Sequence, residues 1–170
     1  MEYLYSAQSP LGILTMSCNS DSITGLWIEG QKHFARNLDK DVLKQKHSLF
    51  EMAEKWLDIY FKGGEPDFNL PLMPKGSQFQ KSIWNILRRI PRGRTMTYGE
   101  IAKQYETENN GKHTSARGVG NAVGRNPISI LIPCHRVIGK NGDLTGYAGG
   151  IHNKIILLQI EGIYNKEIKP

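Results

Sequence analysis

Only two cysteines, Cys18 and Cys134, occur in the 170 residues. Two thiols build neither a disulfide framework nor a four-cysteine zinc site, which excludes a small secreted scaffold stapled by bridges. The apolar runs fall far short of the roughly 20 residues a membrane span needs. The opening stretch MEYLYSAQSP lacks the basic-then-apolar pattern of a secretory signal. Phosphate-cradling loops are missing too, with neither GxGxxG nor a GxxxxGK followed by Ser or Thr. His33, His47, His113, His135 and His152 are dispersed, and none sits at zinc-ligand spacing from a cysteine. These absences lead to the expectation of a cytoplasmic protein that needs no membrane, metal or other cofactor.

What the sequence does carry is charge, unevenly placed. A 39% share of apolar residues excludes disorder by composition, and the net charge is +6. Residues 1–74 hold 7 basic and 10 acidic side chains, net −3, whereas residues 75–170 hold 15 and 6, net +9. A half that basic suits a polyanionic partner, since phosphates are neutralised by Lys and Arg. A basic but merely solvated surface is the alternative. The Pro- and Gly-rich stretch Leu70 to Gly76 separates the two halves, giving an expected domain 1–74 and an expected domain 75–170.

The first domain reads as a scaffold. Short β runs at Glu2–Ala7, Ile13–Cys18 and Ile23–Ile28, separated by turn compositions, imply an antiparallel meander. Gln31 to Lys46 takes no firm assignment. Ser48 to Lys62 repeats Leu49, Phe50, Ala53, Trp56, Leu57, Tyr60 and Phe61 at helical spacing, with Ser48 and Glu51 forming an apparent capping box.

Helices dominate the second domain. Ser77 with Gln80 opens one whose apolar stripe is Phe79, Ile83, Ile86, Leu87 and Ile90. Thr97 with Glu100 opens a short one through Tyr105, and Thr114–Arg125 forms another, with Ala116, Val119 and Val123 inward. Asn126-Pro127 ends that helix. Two short helices joined by a turn are the pattern of a helix-turn-helix. The second exposes Arg117, Asn121 and Gly124 beside Gly118 and Gly120. Its three glycines each cost about 1 kcal/mol against Ala, a cost accounted for by close approach either to a neighbouring helix or to a ligand. Together these patterns place the chain in the α+β class.

One segment concentrates reactive groups. Ile128–Ile132 reads as a buried strand or extended segment, stiffened at its end by Pro133 and followed by Cys134-His135-Arg136. A buried cysteine is commonly core filling, which suits Cys18 in its strand. Cys134 has a cation and a potential base beside it. In an extended segment His135 would point away from Cys134, so direct contact requires a turn, and otherwise a bridging water. On the last helix, Lys154, Leu157, Leu158 and Glu161 share neighbouring faces before Gly162. Glu161 is either exposed at the helix end or buried as the partner of His135, completing a Cys–His–Glu relay. Tyr147, among the glycines of Thr145–Gly150, either anchors its loop or closes over a planar ligand.

Ile132-Pro133-Cys134-His135-Arg136-Val137-Ile138-Gly139 resembles the PCHRV motif of the O6-alkylguanine-DNA alkyltransferases. Phe79-Gln80, Ile83-Trp84, Ile90-Pro91, Thr97-Tyr98-Gly99, Ala116-Arg117-Gly118-Val119-Gly120, Arg125-Asn126-Pro127, Gly146-Tyr147, Lys154, Leu157-Leu158 and Glu161-Gly162 follow in the family's order. The resemblance covers residues 75–163, and the first domain is similar in size and layout, which implies a ribonuclease H-like N-terminal domain. It implies single-turnover repair of O6-alkylguanine, and of O4-alkylthymine, in duplex DNA by a monomer. Cys134 would accept the alkyl group as a thioether. His135 would generate the thiolate through water, and Glu161 would orient it. Asn126 would hold the active-site loop, and Tyr98 would donate to the departing guanine. Val137, Tyr147 and Ala148 would line the pocket. Arg117 would fill the space of the flipped nucleotide from the minor groove, with Tyr98, Gly99, Gly120 and Lys140 against the DNA. A non-catalytic lesion binder of the same fold would lack the cysteine. The sequence departs from the family pattern in the long stretch Glu106–His113, which sets Tyr98 and Arg117 19 positions apart, and in Gly118, where alanine is usual.

Overall fold

The computed structural model describes residues 1–144 and 146–163. Thr145, at the head of the glycine-rich segment, and the last seven residues of the 75–170 domain lie outside the described residues. The chain forms two compact units. One is Met1–Lys75 with Pro127–Ser129, and the other is Gly76–Asn126 with the chain from Ile130 onward.

In the first unit, β1 (Glu2–Ser9), β2 (Gly12–Cys18) and β3 (Ile23–Ile28) pair antiparallel in sequence order. A fourth strand, β4 (Val42–Lys44), adds parallel to β1, so the sheet is mixed and ordered β3-β2-β1-β4. This strand falls in the segment the sequence leaves unassigned, because two apolar residues between charged ones carry too little periodicity. Strand β3 is buried along its whole length, and its outer edge is closed by two separate pieces of chain. Ile23 N–H donates to Pro71 O and Ile23 O accepts from Met73 N–H, both at 2.8 Å, while Leu26 N–H donates to Pro127 O and Leu26 O accepts from Ser129 N–H, both at 2.9 Å. Covering an edge this way removes a row of unpaired backbone groups. Residues 127–129 therefore complete the sheet of the first unit.

Helix α1 (Ser48–Phe61) starts one residue away from where the sequence places its cap. His47 is the extended N-cap, its Nδ1 accepting from Leu49 N–H at 3.1 Å, and Ser48 lies inside the helix. The imidazole is held there against Tyr3 and Phe50, contacts that a capping-box pattern does not register.

The second unit packs α2 (Gln78–Arg88), α3 (Tyr98–Glu108) and α4 (Ala116–Gly124) against one another, with α5 (Ile151–Ile160) following. Both capping boxes, Ser77 with Gln80 and Thr97 with Glu100, are formed. Trp84 is buried, and its indole N–H donates to Ala122 O at 2.8 Å, tying α2 to α4. Helix α3 continues to Glu108, three residues past Tyr105, and part of the long connection is thus helical. Asn110 and Gly111 then turn the chain at positive φ. Helix α4 is shorter than its sequence pattern because Ser115 caps it. Ala116 is exposed rather than inward, leaving Val119, Ala122 and Val123 as the buried face. Met96–Thr97 (β5) pairs parallel with Val137–Ile138 (β6).

Ile128–Ile132 is not a strand. After a single bridge at Ile128 the chain turns, with Ile130 buried at φ 71°. A β-branched residue there is strained, at a cost of about 1–3 kcal/mol, and such strain clusters beside functional sites.

Candidate active site

Pro133 ends that turn, and Cys134–Arg136 makes one turn of 3-10 helix. Arg136 N–H donates to Pro133 O at 3.0 Å, and Val137 N–H to Cys134 O. A turn, the condition for direct contact between Cys134 and His135, is thus present. Successive side chains in such a turn diverge by about 120°, which sends Cys134 one way and His135 and Arg136 others.

His135 and Arg136 converge on one carboxylate. Glu161, at the C-terminal cap of α5, is buried, which settles the alternative of an exposed helix end. His135 Nε2–H donates to its Oε2 at 2.5 Å, and Arg136 Nε–H donates to its Oε1 at 2.7 Å. Gly93 N–H adds a third donor at 3.3 Å, and Arg136 Nη1–H also reaches Ile90 O at 2.6 Å. The cation beside Glu161 matters because removing one partner of a buried pair costs about 3–5 kcal/mol.

Around Cys134 the neighbours are donors and a cation. Burial pushes the thiol pKa up, while hydrogen bonds from Asn126 and Tyr147 and the charge of Lys154 pull it back. Asn126 Nδ2–H also donates to Ile132 O at 2.9 Å, fixing the turn that leads to Cys134. Lys154 has no exposed surface, and its Nζ donates to Val137 O at 2.5 Å. Burial depresses its pKa to about 8, against the opposing charges of Cys134 and Asp143. The ammonium also lies 5.9 Å from the centre of the Tyr147 ring. For His135, burial lowers the pKa, Glu161 opposes that, and Arg136 and Lys154 reinforce it. The Tyr98 phenol is raised by burial, then by the charge Cys134 carries as a thiolate and by Asp143.

The structure thus brings together Cys134, His135, Glu161, Asn126, Tyr98, Tyr147 and, through its carbonyl, Val137. Ala148 lies half-buried in the turn before α5. Gly120 on α4 faces Tyr98, a Cβ added there coming 3.7 Å from the ring. Arg117, Gly99 and Lys140 are exposed. Lys154 is the member that sequence reasoning gives no role. Its signal is a Lys three and four residues before Leu157 and Leu158, on the same side of the helix. Among the described residues, no three His, Cys, Asp or Glu side chains cluster as metal ligands, and no helix is long and apolar enough to cross a membrane.

Residues 78–163 match the DNA binding domain of the 6-O-methylguanine DNA methyltransferases, and residues 3–74 match their ribonuclease-like domain. The chain belongs to this family. A methylated-DNA–protein-cysteine methyltransferase of Methanosarcina acetivorans is 42% identical over 156 residues, 91% of this chain and 95% of that protein. The constitutive enzyme of that name from Bacillus subtilis is 40% identical over 170 residues, 98% of this chain and 99% of its own. The crystal structure of Mycobacterium tuberculosis OGT in complex with DNA superposes with a TM-score of 0.81 at 38% identity, covering 94% of this chain and 92% of that one. As a 6-O-methylguanine DNA methyltransferase, the chain repairs DNA directly, moving an alkyl group from the base to a protein cysteine.

Proposed function

We propose that Cys134 is the acceptor, that His135 and Glu161 activate it, and that α4 presents the lesion from the minor groove of duplex DNA. The observation that carries this reading is the single 3-10 turn that seats Cys134 among donors and a cation while docking its neighbour His135 on buried Glu161. The thiol proton passes through a water to His135. The thiolate then attacks the alkyl carbon on guanine O6, and an S–C bond forms as the O–C bond breaks. The electron pair leaves with guanine, to which the Tyr98 hydroxyl donates. Val137, Tyr147 and Ala148 line the base pocket. A thioether is stable, so each molecule acts once. The same displacement applies to O4-alkylthymine.

The target oxygen is inaccessible within a stacked duplex, so the nucleotide must leave the stack, at a cost of a few kcal/mol. Arg117, exposed on α4, fills the vacated space, and α3 with α4 acts as the helix-turn-helix. Gly99, Gly120, Tyr98 and Lys140 lie against the DNA, where small residues permit close approach. All the reactive groups come from one chain, consistent with a monomer, and a reaction that consumes a reduced thiol suits the cytoplasm. Incubation with duplex DNA containing O6-methylguanine should add one methyl mass to the peptide bearing Cys134. An unmodified protein, or a methyl on Cys18, would refute the assignment.

A further inference from the structure

The Glu161 carboxylate serves two side chains through different oxygens, and the second of them has no part in the relay. We propose that Arg136 is a positioning residue of the transfer reaction. By pairing permanently with Glu161, its guanidinium keeps His135 neutral and fixed in the orientation that receives the thiol proton. This rests on the reading of Cys134 as acceptor.

The geometry is specific to a guanidinium. Nε–H meets Glu161 Oε1 at 2.7 Å while Nη1–H meets Ile90 O at 2.6 Å, so one planar fork locks the carboxylate to the chain leaving α2. An ammonium cannot span both acceptors in that fixed geometry. Gly93 N–H holds the same oxygen at 3.3 Å, and Arg92 Nη2–H donates to Ile160 O at 3.2 Å. The carboxylate is thereby immobilised before His135 Nε2–H reaches its other oxygen at 2.5 Å.

Charge balance gives the chemical consequence. Arg136 and Glu161 already neutralise one another, so a proton added to His135 creates an uncompensated cation at a site with no exposed surface. Without Arg136, the same proton would neutralise Glu161 and be held, and an imidazolium cannot accept the proton of a thiol. Among the described residues, the other charged or titratable groups at this cluster are Lys154 on α5, Cys134 on the turn and Arg92, whose guanidinium reaches Ile160 O beside Glu161. Tyr98 and Asp143 face Cys134, and Asp143 also faces Lys154. Lys154 acts on His135 in the same sense as Arg136, and Glu161 acts against both.

The test measures single-turnover methyl transfer from O6-methylguanine in duplex DNA between about pH 5 and 8 for the parent protein, Arg136→Gln and Arg136→Lys, with an NMR titration of the His135 ring in the unreacted protein. Arg136→Gln should move the acid limb of the profile upward by about one pH unit, slowing transfer about tenfold on that limb. At the alkaline end a smaller, pH-independent loss should remain from the freed Glu161 carboxylate, and Arg136→Lys should restore the position of the limb without restoring that loss. A loss equal at every pH with the limb unmoved would show a structural role and overturn the proposal. Should Arg136→Gln not fold, the parent titration decides: a His135 that protonates at or above the ordinary histidine range overturns it. Absence of transfer to Cys134 by the parent protein would instead overturn the underlying reading.

Discussion

Replacing Lys154 with methionine separates what the buried ammonium does for chemistry from what it does for stability. The side chain has no exposed surface, and its pKa falls from 10.5 to about 8. That shift corresponds to about 3 kcal/mol by which folding disfavours the charged form. Methionine of similar length relieves this cost but leaves Val137 O, now served by Nζ at 2.5 Å, without its donor, a loss of about 1–3 kcal/mol. The two nearly cancel, so Lys154→Met should unfold in urea within about 2 kcal/mol of the parent at pH 7. Methyl transfer should suffer far more. Lys154 is the cation that draws Cys134 toward thiolate, and losing a close opposite charge changes a pKa by about 1–3 units. Transfer should slow at least about tenfold. The parent should also gain stability as pH rises from about 8 toward 10.5, because there the unfolded chain binds the proton that the folded one has released. The methionine variant should lack that gain. Destabilisation beyond about 4 kcal/mol accompanied by proportionate loss of transfer, or transfer at the parental rate, would refute the reasoning.

Two further substitutions test the proposed DNA face. Arg117→Ala, at an exposed position, should change unfolding free energy by no more than about 0.5 kcal/mol. It should slow repair in duplex DNA about tenfold or more while reaction with free O6-benzylguanine stays near the parental rate. Equal losses on the two substrates would remove Arg117 from nucleotide flipping. Gly124→Ala places a methyl where nothing lies within 4 Å, so helix propensity should raise stability by about 0.5–1 kcal/mol in denaturant unfolding. If DNA approaches α4 closely there, duplex repair slows while the free-base reaction does not. A more stable protein with unchanged duplex repair would argue against that approach.

Elements whose signals are local were legible in the sequence. Ser77 with Gln80 and Thr97 with Glu100 name both partners of a capping box within four residues, and both boxes form. Meander strands with turns between them were read for the same reason. Failures occurred where a distant partner decides. Ile128–Ile132 has the composition of a strand or extended segment, but among the described residues its one sheet partner is Leu26, about a hundred positions earlier, and the chain turns at Ile130. His47 caps α1 because Tyr3 and Phe50 hold its ring, and Val42–Lys44 becomes a strand because β1 offers an edge. In the site, Cys134, His135 and Glu161 were legible as a set, although whether Glu161 faced solvent was not. The burial of Lys154 has no local mark in the sequence, since His152 and Asn153 beside it give that turn of the helix a polar composition. Its burial depends on Val137 O being 17 positions away in sequence and 2.5 Å away in space.

Both cysteines are free and buried, so burial alone does not distinguish them. At Cys18, burial and then the charge of Glu2 raise the thiol pKa to about 11. Desolvation and a neighbouring anion both oppose the thiolate, and this cysteine remains packing. At Cys134 the desolvation is no less, yet each further influence has the opposite sign: Asn126, Lys154 and Tyr147 all favour the thiolate. Their net effect still leaves the thiol above its ordinary pKa. For a side chain that can be used only once this is an advantage, because a thiol that stays protonated resists adventitious oxidants and electrophiles. It also assigns a task to the His135–Glu161–Arg136 cluster. The cation and the donors lower the cost of forming thiolate without abolishing it, and the remaining proton has to be taken by a neutral base at the moment an alkylated guanine occupies the pocket.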